Sequence, residues 1–228
     1  TSTKSSGGKT IHHHHHHHHH HHYNRDNEDD ATHGSHSTTP QCLWSEETPM
    51  PDGVLTGHGS CAIDDQHMVI LGGDGPDRQP SDAGYIYNIR NQKWFELPNP
   101  MPHAMSRCGV VFHKGSHSVY VIGGRQSRKR SSGVYRLSLR SFQWHRMARM
   151  STPRDGCAVA VVGDSIYAFG GKDQDDQKLS SAERYSISRD SWSDVRDMRY
   201  ARDGHFTAVM DDKIYIMGDF FGFRAVEV

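Results

Sequence analysis

Cys157-Ala-Val-Ala-Val-Val162, Gly163-Asp-Ser165, Ile166-Tyr-Ala-Phe169 and Gly170-Gly171 follow one another without a break, and their reading decides the fold. The first is a short apolar run rich in small and β-branched residues, and the second is turn chemistry. The third is another apolar run, which stops at a glycine pair. A polar loop from Lys172 to Lys178 then leads to Ala182-Glu-Arg-Tyr-Ser-Ile187, and Ser188-Arg-Asp-Ser191 turns the chain into Trp192-Ser-Asp-Val195. No helical periodicity runs through this stretch, so it predicts a four-stranded antiparallel meander.

The pattern recurs along the chain. Trp44, Trp94, Trp144 and Trp192 are the only tryptophans, spaced by 50, 50 and 48 residues. Gly72-Gly73, Gly123-Gly124 and Gly170-Gly171 keep the same phase, with a degraded copy at Gly218-Asp219. Tyr87 and Tyr185 each lie seven residues before a tryptophan, and Leu137 takes that place in the second repeat. A period near 50 is that of a repeat array in which each copy is one supersecondary unit. The glycines allow close passage of chains where the second strand ends. The large aromatics fill the space between neighbouring sheets, each contributing on the order of a few kcal/mol.

Taken together, the Gly-Gly, Tyr and Trp positions resemble those of the kelch-repeat β-propellers over residues 37–228. The WD-repeat propellers have a shorter period, and no Trp-Asp dipeptide occurs here. The resemblance implies an all-β fold of four-stranded antiparallel blades, with the first strand of each lining a central channel and the fourth outermost. Repeats are expected at 51–102, 103–153 and 154–201, with a partial one at 202–228. Trp44-Ser-Glu-Glu-Thr-Pro-Met50 has the spacing of Trp192 to Met198, so 37–50 is expected to be an outer strand. Three full blades and a partial one fit a piece of a larger ring better than a closed one, since propellers have four to eight blades.

Composition bounds the function. The chain has 228 residues, 34% of them hydrophobic, and a net charge of −1, so no global field recruits nucleic acid or an anionic membrane. No apolar run approaches the roughly 18 residues of a membrane-spanning helix. Residues 1–36, with eleven consecutive histidines from His12 to His22, are too polar to fold alone and are expected to be a disordered low-complexity segment. A purification tag and a weak metal-buffering tract without defined geometry are the competing readings of that run. Cys42, Cys61, Cys108 and Cys157 show no metal-ligand spacing, which fits a reducing, cytoplasmic setting with neither disulfide framework nor metal. No cofactor motif stands up. Gly57-His-Gly59 leads into a strand rather than a helix, and the Asp173–Asp176 loop lacks an EF-hand's glycine and distal glutamate.

Candidate site residues come from the repeat phase. Arg107, Arg154 and Arg202 each lie sixteen residues before a leading glycine, where the first repeat has Thr56. In kelch adaptors that bind acidic peptides, arginines at this position line the channel mouth, and guanidinium forks suit carboxylates. The competing role is an inter-blade one, each arginine pairing with a neighbouring acid such as Asp155 or Asp203. Arg125 and Arg128, in the basic run Arg125–Arg130, are expected on the same face, beside an acidic sector of Asp173, Asp175 and Asp176. The expected function is a protein-interaction module and not an enzyme, its partner an acidic segment, a ubiquitin-ligase substrate or actin by resemblance. The alternative is an enzyme on a kelch-like propeller, a metal oxidase or a sugar-converting type. It requires His, Tyr or Cys ligands at matching blade positions, and none is evident in the sequence.

Overall fold

A computed structural model of the chain describes residues 47–51, 53, 55–219 and 225–228. The expectations for 1–36, and for 37–50 up to its last four residues, lie outside the described residues; residues 47–50 carry no strand. The rest is built wholly of antiparallel strands. Blade one comprises β1 (Gly59–Ala62), β2 (His67–Leu71), β3 (Gly84–Asn88) and β4 (Lys93–Glu96) in sequential order. Blade two comprises β5 (Gly109–His113), β6 (Ser118–Ile122), β9 (Val134–Ser138) and β10 (Trp144–Met147). Between its second and third strands stands a small hairpin of β7 (Arg125–Gln126) and β8 (Lys129–Arg130). Blade three is β11 (Ala158–Val162), β12 (Ser165–Phe169), β13 (Ala182–Ser186) and β14 (Ser191–Val195). Blade four is β15 (Phe206–Met210) and β16 (Lys213–Met217), with Glu227 bridged to Ile216.

The two-residue periodicity of the strands is what stacks the blades. Val119 and Val121 of β6 join Val69 and Leu71 in one apolar cluster, whereas Tyr120 and Ile122 of the same strand join Ile166, Ala168 and Tyr185 in the next. All five residues of β6 are buried, and Val119–Ile122 reads as continuously apolar rather than alternating. Trp144 and Trp192 tie their blades to the chain leaving the previous one, and Trp94 ties blade one to the segment that precedes it. Trp144 Nε1 donates to Asn99 O at 3.2 Å, Trp192 Nε1 to Ala148 O at 2.9 Å, and Trp94 Nε1 to Thr48 O at 2.8 Å.

The leading glycines are required twice over. Gly72, Gly123 and Gly170 have φ of +61°, +64° and +56°. A Cβ on them would lie only 2.2, 2.4 and 2.6 Å from the carbonyl oxygens of Met105, Arg154 and Arg202 respectively. Those oxygens accept from the N–H of the second glycine, Gly73, Gly124 or Gly171, in the blade before. The glycine pair is thus a backbone joint between blades.

Candidate functional site

The segments leading into the first strands of the four blades line one cavity of about 420 Å³. A belt of backbone hydrogen bonds runs past it. Arg107 N–H donates to Gly57 O at 2.6 Å, Gly156 N–H to Arg107 O at 2.9 Å, and Gly204 N–H to Gly156 O at 2.9 Å. All four residues are left-handed, with φ of +64°, +54°, +63° and +59° in chain order. Three of them are glycine, the residue that takes this conformation without steric cost. Arg107 is the exception. Its side chain is exposed at the cavity, and its Cγ would lie 3.1 Å from a Cβ on Gly57, so that glycine leaves room for the arginine stem.

Arg107, Arg154 and Arg202 are not equivalent, contrary to the sixteen-residue count. The turn joining the first two strands has four residues in blade two (114–117) but two in blades three and four. Counting back from the glycine therefore slips by two, and the residue matching Arg154 and Arg202 is Met105. Arg154 and Arg202 are both wholly buried. Arg154 donates to Gly170 O at 2.8 Å, to Ser181 O at 3.0 Å and to Glu183 Oε1 at 2.9 Å. Glu183 also accepts from Ser151 N–H at 2.7 Å and Thr152 N–H at 3.2 Å. Arg202 repeats the scheme, with Gly218 O at 2.7 Å, Ala225 O at 2.8 Å and Glu227 Oε1 at 3.0 Å, and Glu227 accepts from Arg199 N–H at 2.6 Å. Placing Arg154 and Arg202 at a partner interface is thus corrected: their donors are spent inside the blade. Their role is structural but lies within a blade, through Glu183 and Glu227, and not between blades through Asp155 and Asp203.

Asp155 and Asp203 are engaged elsewhere. Asp155 Oδ1 accepts from Arg130 Nε at 2.8 Å, and Asp203 lies 3.1 Å from Lys178 Nζ. Arg130 also pairs with Asp176, and its backbone N–H donates to Gln174 Oε1 at 3.1 Å. The basic loop of blade two and the acidic loop of blade three are therefore clipped together through Arg130. Arg125 and Arg128 stay on the rim. Arg125 is half-buried, its Nε donating to Ser127 O at 2.7 Å, and Arg128 is exposed. Arg125 is bridged to Ser106, next to Arg107, so rim and belt are continuous.

Residues immediately after the belt positions were missed at the level of sequence. His58, Cys108, Cys157 and His205 all line the cavity, at matching places in the four blades. Among the described residues no three His, Cys, Asp or Glu side chains are grouped closely enough to hold a metal ion. Burial pushes the Cys108 thiol up to about 12, with Cys157 adding to it, and pushes Cys157 up to about 11. Burial, reinforced by Arg202, lowers His205 to about 4, so its imidazole is neutral, and neither ring nitrogen has a hydrogen-bond partner. The signal was available in the sequence once the unequal turns are allowed for: Gly-His, Arg-Cys, Gly-Cys, Gly-His.

Blades of four antiparallel strands, stacked side by side with their first strands around a cavity, define a β-propeller architecture. The chain belongs to the kelch-repeat family: residues 16–220 match the model of the KLHDC2/KLHL20/DRC7 Kelch-repeats domain. It is similar to Kelch-like protein 40 of Xenopus laevis, 24% identical over 132 residues that make up 58% of this chain and 21% of that protein. Kelch-like protein 15 of Danio rerio is 34% identical over 92 residues, 38% of this chain and 15% of the other. Kelch-like protein terF of Aspergillus terreus is 27% identical over 138 residues, 57% and 29% respectively. The chain thus spans less than a third of these relatives. Among solved structures, YjhT superposes with a TM-score of 0.67 at 16% identity, covering 77% of this chain and 62% of its own. Among the described residues no helix is long and apolar enough to cross a membrane.

Proposed function

We propose that this chain is a protein-interaction module that grips an acidic segment of its partner across the cavity mouth, through Arg107 with Arg125 and Arg128 on the adjoining rim. The observation that carries this is Arg107. It is an exposed guanidinium with no ion pair among the described residues, held in a left-handed conformation that the other three repeats give to glycine. Backbone strain of this kind costs on the order of 1–3 kcal/mol and clusters at functional positions. Of the acids lining the same cavity, Asp155 is matched by Arg130 and Asp203 by Lys178, whereas Asp74 has no ion pair among the described residues; none of the three pairs with Arg107, which leaves its guanidinium for an incoming carboxylate. Ubiquitin-ligase substrates and actin, the partners that the resemblance implies, are reached through this same chemistry. The unpaired thiols of Cys61, Cys108 and Cys157 suit a reducing compartment such as the cytoplasm.

The test is fluorescence anisotropy of a labelled Asp/Glu-rich peptide against the protein and its Arg107→Ala/Arg125→Ala/Arg128→Ala variant. Exposed charge contacts are worth about 0.2–1 kcal/mol each, so their joint loss should weaken binding about tenfold with no change in melting. Equal affinity for the two proteins would refute the reading.

A further inference from the structure

The hairpin of β7 and β8 concentrates positive charge in a way that its own packing does not require. Arg125 and Arg130 are direct cross-strand partners, which puts two guanidinium stems on one face of a two-stranded ribbon. Like charges so placed repel. Arg128, in the turn, reaches the same hollow. The three arginines and Asp176 line a cavity of about 260 Å³.

Only Arg130 is neutralised. Its guanidinium is 12% exposed and lies between Asp155 and Asp176, and Lys172 Nζ is a further 3.6 Å from Asp176. Four cations thus face two carboxylates around the hollow, leaving two positive charges, those of Arg125 and Arg128. Arg125 uses Nε on the backbone of Ser127, which fixes the fork, and its two terminal nitrogens make no hydrogen bond among the described residues. Arg128 has no hydrogen bond or ion pair among the described residues. The hairpin is anchored, since Arg130 N–H is held by Gln174 and Ser131 N–H donates to Gly124 O at 2.8 Å. A ligand therefore meets one fork fixed through Ser127 and a second, that of Arg128, carried on an anchored turn, so the ordering cost of binding falls mainly on Arg128.

We propose that this hollow is a receptor for a phosphorylated serine or threonine on the partner protein. The inference rests on the reading of the cavity mouth as a protein-binding face and deepens it, giving the rim pair Arg125 and Arg128 a phosphoryl group as their ligand. A carboxylate supplies one negative charge, whereas a phosphoryl group carries about 1.5–2 and three acceptor oxygens, enough to accept from two guanidinium forks at once. The bridge from Arg125 to Ser106 places the hollow beside Arg107, so one extended segment spans both. Among the described residues no aromatic side chain lines the hollow, so none there offers a nucleic-acid base a stacking surface.

The experiment uses the whole chain and a degenerate peptide library with a central phosphoserine between random residues, its unphosphorylated twin, and oligouridylate of similar charge. The phosphorylated library should bind at least tenfold tighter than its twin. That preference should vanish in Arg125→Ala/Arg128→Ala and persist in Arg107→Ala. Equal binding of the two libraries, while a Glu-rich peptide still binds, overturns the phosphoryl subsite and leaves the acidic-segment reading standing. No binding of any acidic or phosphorylated peptide overturns both. Preference for oligouridylate, or a phosphate preference that survives Arg125→Ala/Arg128→Ala, overturns the proposal in favour of another site.

Discussion

Replacing Arg154 by Met should unfold the chain more readily rather than weaken partner binding, and the size of the effect follows from its surroundings. Arg154 is wholly buried and Glu183 nearly so, with 2% of its side chain exposed. Removing the guanidinium strips the Gly170 and Ser181 carbonyls of a donor and leaves the Glu183 carboxylate with only the N–H groups of Ser151 and Thr152. Breaking one side of a buried pair costs about 3–5 kcal/mol. At about 2–4 °C per kcal/mol for a domain of this size, Tm should fall by roughly 6–20 °C. The other repeats show an alternative solution. Blade two has Pro102, Met105, Gly133 and Tyr135 where blade three has Ser151, Arg154, Ser181 and Glu183, so both the charged pair and the N–H donor are absent there. Proline has no N–H, and Gly133 makes room for the ring, since a Cβ on it would lie 3.1 Å from Tyr135. Transplanting all four residues into blade three should restore most of the lost stability, because a well-packed apolar replacement for a buried pair is often neutral or better. Urea and thermal denaturation followed by circular dichroism read both variants. An Arg154→Met protein within about 0.5 kcal/mol of the parent, the range of ordinary surface changes, would refute the reasoning.

Arg107→Gly gives the belt the residue found in its other three repeats and should raise stability by about 1 kcal/mol, lifting Tm by about 2–4 °C while weakening acidic-peptide binding. A lower Tm would show that the left-handed arginine is not strained. Gly123→Ala forces a Cβ against Arg154 O in a left-handed backbone and should cost more than about 2 kcal/mol, read by the same melts. With Cys61 and Cys108 at about 12 and Cys157 at about 11, native protein at pH 8 should react with iodoacetamide far more slowly than urea-unfolded protein. Fast alkylation of Cys108 or Cys157 in the native state would contradict their burial. His205 has a folded pKa of about 4 against 6.5 for the free side chain, so the unfolded chain binds the extra proton between those values. Its contribution is complete above pH 6.5 and is lost as pH falls toward 4. His205→Phe should flatten the stability–pH slope in that window, and parallel slopes for variant and parent would count against the assignment.

Much of the architecture was legible because it rests on short-range chemistry. Paired glycines mark a backbone joint too tight for a Cβ. A tryptophan follows each joint at a fixed interval because its indole must reach the chain leaving the previous blade. Apolar runs such as Val119-Tyr-Val-Ile122 mark strands covered on both faces. Kelch membership and meander blades follow from such local signals. Register across repeats did not. Turns of unequal length between first and second strands shift the apparent phase, so Arg107 seemed equivalent to Arg154, and the matching His58, Cys108, Cys157 and His205 went unseen. What sequence alone determined here is the repeat and its strands, because glycine geometry and two-residue periodicity are properties of neighbouring residues. Only the tertiary structure decided which arginines are sealed inside a blade and which face outward. That depends on where Glu183 and Glu227 arrive from twenty-five or more residues away, and a buried guanidinium is distinguished from an exposed one only by what surrounds it.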